Sequence, residues 1–140
     1  MREKTVMAFG AFDILHPGHI HYLKQASRYG RLVVVVARDE SIKMLKGRRP
    51  LFGERSRLEI VGALKFVHKA VLGNRIKDPE EMYRILLRYR PDFIVLGYDQ
   101  RIDELELRRS PERYEIKARI KRERPFNSNV FKSSRLRKMI

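Results

Sequence analysis

The chain predicts an α/β protein built on an open parallel sheet with helices on both faces, and three observations carry that prediction. Short apolar runs alternate with stretches of helical spacing along the chain. One run, Leu32–Ala37 (Leu-Val-Val-Val-Val-Ala), is continuously apolar, as a strand covered on both faces requires. The segment Gly10-Ala-Phe-Asp-Ile-Leu-His-Pro-Gly-His19 follows an apolar strand and opens a helix. Such a strand–turn–helix junction is where a Rossmann-like sheet presents backbone N–H groups to phosphate.

Taken in order, Thr5–Phe9 is the first strand. Residues 17–29 form a helix that begins at Pro17, places Ile20, Leu23 and Ala26 on one face and stops near Gly30. Leu32–Ala37 is the second strand, residues 39–46 a short helix, and Gly47–Gly53 a basic loop containing Pro50. Leu58, Val61, Leu64 and Lys65 keep helical spacing from about 55 to 66, and Lys69–Leu72 is a short strand ending at Gly73. Met82, Ile85, Leu86 and Tyr89 stand at i, i+3, i+4 and i+7, an amphipathic helix that the pre-proline Arg90 ends. Phe93–Leu96 is the next strand. Past residue 110 the pattern weakens, with Tyr114–Ile120 read as a fifth strand and Ser133–Ile140 as a terminal helix. No internal repeat or Pro/Gly/Ser-rich linker interrupts the series, so residues 1–140 are expected to form one domain. In such sheets ligands sit beyond the carboxyl ends of the strands, near the switch in strand order. Gly10–His19 and Gly97–Gln100 both follow strands and are expected on that edge.

His16 and His19, three residues apart at the first helical turn, put two imidazoles on one face beside the positive end of a helix. Gly18 between them lets phosphates approach the backbone, since a Cβ there would stand in the way. The combination suits an anion site with two polar donors. Two plainer readings stay open. His16, His19 and His21 fall within six residues, which permits a metal site, although no cysteine or Glu stands nearby at ligand spacing. A capping turn without chemistry would also use Pro17 and Gly18. His21 points to another face and is expected at the surface.

Composition bounds the function. The 140 residues include 32 Lys and Arg against 17 Asp and Glu, a formal net charge of +15, and no cysteine. Residues 101–140 alone hold 13 basic and 6 acidic side chains. Disulfides and thiol catalysis are excluded. The charge favours polyanionic partners such as nucleotides, phosphorylated substrates or nucleic acid, although a solvated arginine-rich surface would look the same. No aromatic RNA-binding signature or helix-turn-helix pattern accompanies it, so specific nucleic-acid recognition is not expected. There is no run of 18 apolar residues and the first strand begins at residue 5, so no membrane association is expected and a cytoplasmic protein is.

His16-Pro17-Gly18-His19, preceded by strand-Gly-x-Phe-Asp, resembles the HxGH motif of the cytidylyltransferase-like nucleotidyltransferases. The resemblance implies the nucleotidyltransferase fold of that family. It also implies that His16 and His19 are catalytic, contacting a triphosphate and stabilising the pentavalent α-phosphorus as an acceptor phosphate attacks and pyrophosphate leaves. Alignment and charge stabilisation are what such a transfer needs. Gly10, Ala11, Phe12, Pro17 and Gly18 become nucleotide-binding positions by the same resemblance. Arg38-Asp39-Glu40, Lys46-Gly47 and Arg57 look like the family's middle stretch, where a loop lysine and a helix arginine reach the phosphates. Carried over by position, Lys46 is the catalytic lysine and Arg57 a nucleotide contact. Arg48 or Arg49 could take the part of Lys46, and a solvent-exposed helix-end lysine is the plain alternative.

Pro91-Asp-Phe-Ile-Val-Leu-Gly-Tyr-Asp-Gln100 is a second match. Its Gly-Tyr-Asp-Gln form is more like the archaeal FAD synthases, which transfer AMP from ATP to FMN. Asp99 can accept hydrogen bonds from a ribose hydroxyl or an adenine amino group, or simply form an Asx turn. Ser133 and Ser134 stand where the family has a Ser/Thr turn opening its last helix, and either could cap that helix and donate to the β- or γ-phosphate. Here Lys132 occupies the usual first position of that turn and the preceding glycine is absent; Arg124 or Asn127 aligns with the residue before it. Val67-His68 departs from a common Val-Asp. The resemblance implies ATP and FMN (or another phosphorylated small molecule) as partners, a divalent cation such as Mg²⁺ carried with ATP, no protein metal site, and possible homodimers. A cytidylyltransferase acting on glycerol 3-phosphate and a basic nucleic-acid-binding module are the alternatives.

Overall fold

The computed structural model describes residues 3–73, 81–97 and 118–123. Within them the chain runs β1 (Thr5–Gly10), α1 (Pro17–Ser27), β2 (Arg31–Val36), α2 (Asp39–Lys46), α3 (Glu54–Gly62), β3 (Lys69–Leu72), α4 (Glu81–Tyr89), β4 (Phe93–Leu96) and β5 (Arg119–Arg122). The five strands form one sheet in the order β3-β2-β1-β4-β5, and every neighbouring pair is parallel. The chain first builds outward from β1 through β2 to β3, then returns to the other side of β1 for β4 and β5. The switch in strand order therefore lies between β1 and β4.

Alternation along the strands divides the apolar residues between two cores. Val6, Ala8, Val34 and Val36 pack with Leu23 and Ala26 of α1 and Val61 of α3 on one face. Met7, Val33 and Val35 pack with Ile85 and Leu86 of α4 on the other. The unbroken valine run is thus what the sequence indicated, a strand whose alternate side chains are buried on opposite faces. Gly30 shapes the entry to β2: its φ of +154° and the 2.4 Å approach of a would-be Cβ to the Lys4 carbonyl admit only glycine.

Two elements differ from expectation. Helix α3 ends at Gly62 rather than near 66. Single turns replace its last residues, with the Leu64 N–H on the Val61 carbonyl and the Val67 N–H on the Leu64 carbonyl. Leu64 and Phe66 still pack on the core, which is why their spacing reads as helical. The fifth strand, expected at Tyr114–Ile120, is seen at Arg119–Arg122, two residues further on at its end, while residues 114–117 lie outside the described residues. As an edge strand it shows three exposed basic side chains and only Ile120 turned toward the core, so hydrophobicity alone could not frame it. The proposed helix at Ser133–Ile140 lies outside the described residues.

Candidate active site

The register between β1 and β4 runs through Val6↔Phe93 and Met7↔Ile94 to Ala8↔Val95. Tyr22 of α1 marks the end of that pairing. Its buried hydroxyl donates to the Val95 carbonyl at 2.6 Å and accepts the Phe9 N–H at 3.3 Å. Burial pushes the phenol pKa upward, so the hydroxyl keeps its proton and remains a donor. One side chain thus seats α1 on both strands at the switch point.

The loop from Gly10 to His16 is held from below. Phe12 has a left-handed backbone (φ 52°), unusual for a bulky residue and a mark of local strain. Its ring is buried, meets the His19 ring edge-on at 5.3 Å between centroids, and lies 6.5 Å from the Tyr22 ring. A Cβ on Gly10 would come within 2.7 Å of the Phe12 ring, so the glycine makes room for that ring. The buried Asp13 carboxylate accepts the Leu51 and Phe52 N–H groups, both at 3.0 Å, binding the α2–α3 loop to the β1–α1 loop.

Helix α1 is capped by the two histidines. His16 is the extended N-cap residue, and its Nδ1 accepts the Gly18 N–H at 3.1 Å. The His16 N–H in turn donates to His19 Nδ1 at 3.3 Å. This is the reciprocal arrangement usually made by Ser or Thr with Glu, here made by two imidazoles. Their rings stack at 3.8 Å between centroids, 28° from coplanar. Because each Nδ1 accepts a backbone N–H, the network assigns the proton of each neutral ring to Nε2. His19 is held neutral: burial first, then the proximity of His16 and Lys46, lowers its pKa to about 3, against a smaller upward pull from the Ile14 carbonyl. The site thus offers two stacked imidazoles at a helix N-terminus, the His19 ring held neutral, with Lys46 close enough to act on His19 electrostatically. Such an arrangement stabilises negative charge growing on phosphoryl oxygens.

His16, His19 and Lys46 come together as the sequence places them, along with Gly10, Ala11, Phe12, Pro17 and Gly18 on the same turn. Arg57 does not join them at a phosphate. Its side chain is fully buried and its guanidinium donates to the carbonyls of Phe52 (2.9 Å), Ala11 (2.8 Å) and Ala37 (2.7 Å) and to the Asp39 carboxylate (2.7 Å). The helix position reads as a phosphate arginine, but burial turns Arg57 into a tie between the loops after β1 and β2 and the loop before α3. Asp99, Ser133 and Ser134, with Arg124, Asn127 and Lys132, lie outside the described residues. His21 is half-buried and acts electrostatically on Glu123. Residue patterns gave no role to Asp13 or Tyr22. The aspartate of the Phe-Asp prefix and a tyrosine on the apolar face of α1 were the available signals.

A cavity of about 630 Å³ lies at the outer edge of β3, two strands away from β1. Arg38, Arg55, Lys69, Arg84, Arg88 and Tyr89 line it, with no histidine among its walls. The two histidines stand at α1 instead. Among the described residues, no helix is long and apolar enough to cross a membrane.

A parallel sheet with a histidine-capped helix at its switch point defines a phosphate-handling α/β protein of the nucleotidyltransferase kind. The Cytidylyltransferase-like family profile matches residues 7–139, and the chain belongs to that family. It is 43% identical over 136 residues to a protein of Thermoplasma acidophilum named FAD synthase, covering 96% of this chain and 92% of that one. A Thermoplasma volcanium protein of the same name is also 43% identical, with the same coverage. Among solved structures, the lipopolysaccharide core biosynthesis protein of Thermoplasma volcanium superposes with a TM-score of 0.82 at 43% identity, covering 90% of this chain and all of that one.

Proposed function

We propose that this protein is an FAD synthase, joining AMP from ATP to FMN and releasing pyrophosphate. A phosphate oxygen of FMN attacks the α-phosphorus of ATP, the new P–O bond forms, the bond to the β-phosphate bridging oxygen breaks, and that oxygen leaves on pyrophosphate. The observation that carries the reading is the pair of stacked imidazoles at the N-terminus of α1, each with its Nδ1 accepting a backbone N–H. Relatives of 43% identity that bear the name FAD synthase supply the acceptor. His16 and His19 hold the triphosphate and the charge that develops at the α-phosphorus, Lys46 neutralises it from the end of α2, and the Ala11–Gly18 turn contributes backbone donors. Asp99 is assigned to the nucleoside, and Ser133 and Ser134 to the β- and γ-phosphates.

A divalent cation such as Mg²⁺ would arrive on the triphosphate and neutralise part of its charge. The residues fit that arrangement. The two carboxylates that flank the turn, Asp13 and Asp39, bind loop N–H groups and Arg57 respectively, so the donors left at the turn suit an anion. A cytoplasmic location and pairing of two copies belong to the same proposal. The test is an assay of purified protein with ATP or CTP against FMN, glycerol 3-phosphate and other phosphorylated acceptors, following pyrophosphate. FAD formation from ATP and FMN is expected. Turnover of CTP with glycerol 3-phosphate and none with FMN would overturn the reading.

A further inference from the structure

The polar half of the site is accounted for by α1, but an apolar feature beside it is not. Among the described residues only five large hydrophobic side chains are exposed, and four of them, Met44, Leu45, Leu51 and Phe52, fall within nine positions of the chain. Met44 and Leu45, on the last turns of α2, are 69% and 78% exposed. Helix α2 buries Ser41 and Ile42 but turns the other two of its three large apolar side chains outward, the reverse of what core packing alone would select. Clustered exposed apolar side chains on a soluble fold mark a surface kept for a ligand.

The place of this strip is fixed. The Leu51 and Phe52 N–H groups are held by Asp13, and the Phe52 carbonyl by Arg57, which also binds the Ala11 carbonyl of the histidine-bearing loop. The Leu51–Phe52 end of the strip is therefore tied to the loop that opens α1, and Met44 and Leu45 precede it on α2. Lys46, the last residue of α2, falls between the two pairs in the chain and acts electrostatically on His19. A surface that is apolar, carries cations at Lys46 and Arg48, and adjoins the reacting phosphate suits a ligand with a flat ring system and one phosphate.

Resting on the FAD synthase reading, we infer that Met44, Leu45, Leu51 and Phe52 form the acceptor platform, receiving the isoalloxazine ring of FMN while its phosphate passes Lys46 toward the α-phosphorus. ATP then lies over the β4 side of the switch point and the acceptor over the α2–α3 side. Acceptor choice would thus reside in side chains that touch no part of ATP.

The test uses the full chain and two variants, Leu51→Ala/Phe52→Ala and Met44→Ser/Leu45→Ser. The second alters only exposed helix positions and guards against misfolding, and thermal melts of both should match the parent. FMN binding is read directly by quenching of flavin fluorescence, with and without a non-hydrolysable ATP analogue, and KM is measured for each substrate. In both variants the FMN KM and the FMN dissociation constant should rise about tenfold or more while the ATP KM stays within twofold. An unchanged FMN KM in variants that still make FAD overturns the platform and leaves the FAD synthase reading standing. A rise in the ATP KM instead assigns the strip to adenine and also overturns it. A drop in molecular mass by light scattering with unchanged FMN affinity makes the strip a contact between two copies, which overturns it too. No FAD from the parent protein, with no flavin quenching, removes both readings together.

Discussion

His19 gains its chemical character from its neighbours rather than from its place in a motif. Desolvation is the largest influence on it, and the nearby His16 and Lys46 add to the cost of a positive charge there. A neutral imidazole whose Nδ1 accepts a backbone N–H is fixed as an Nε2–H donor, which is the form that can hydrogen-bond a phosphoryl oxygen throughout the physiological range. The sign of the pH effect follows. Between about 3 and 6.5 the unfolded chain binds a proton at this residue that the folded chain refuses, so its contribution to stability is fully present above 6.5 and declines as the pH falls through that window. The same neutrality predicts that kcat/KM shows no His19 inflection between pH 5 and 8. His19→Ala and His16→Ala should each lower kcat by roughly 10²–10³ with a much smaller change in the ATP KM. A pH–rate profile of the parent beside both variants checks this. An inflection near 6.5 that disappears with His19 would show that the ring is charged in the working enzyme, and an unchanged kcat would reduce that histidine to a cap.

At the scale of elements, the sheet was legible because parallel strands bury both faces, and the run Leu32–Val36 has no polar interruption. The turn into α1 was legible because Gly, Pro and two His within ten residues leave few local structures open. The third dimension was not. Arg57 looks like any helix arginine in sequence, and only packing shows that its guanidinium closes three loops. Asp13 and Tyr22 likewise act on residues 38 and 73 positions away, separations that no local pattern reports. Past residue 110 the described element, β5, is weakly patterned because it is an edge strand that keeps three basic side chains in water. The burial of Arg57 makes its own prediction. Arg57→Met removes four hydrogen bonds and strands the half-buried Ala11 and Ala37 carbonyls with Asp39, so stability should fall by on the order of 3 kcal/mol, with kcat falling as the histidine loop shifts. Chemical denaturation alongside steady-state kinetics distinguishes this from a phosphate contact. A higher ATP KM with unchanged stability would return Arg57 to the triphosphate.

Over the whole molecule the dominant property is charge. A formal +15 on 140 residues is not concentrated at the histidines. Five cations line the cavity at the β3 edge, and three more lie on β5 at the opposite edge of the sheet. Basic surface on both flanks of a central site makes a field that attracts anions from any approach, and ATP and FMN are both anions. Such a field acts on encounter, not on the chemical step. Raising the salt should therefore lower kcat/KM for ATP and FMN steeply, because the Debye length shrinks from about 10 Å at 0.1 M to about 3 Å at 1 M, while kcat stays nearly flat. The flanks can be separated from the site by Arg84→Glu with Arg88→Glu, which lowers the net charge by four at the outer edge of β3. At low ionic strength this pair should reduce kcat/KM and leave kcat unchanged, and the difference from the parent should vanish as salt rises. If the variant matches the parent at every salt concentration, attraction is local to Lys46 and the turn at α1, and the basic flanks serve something other than substrate capture.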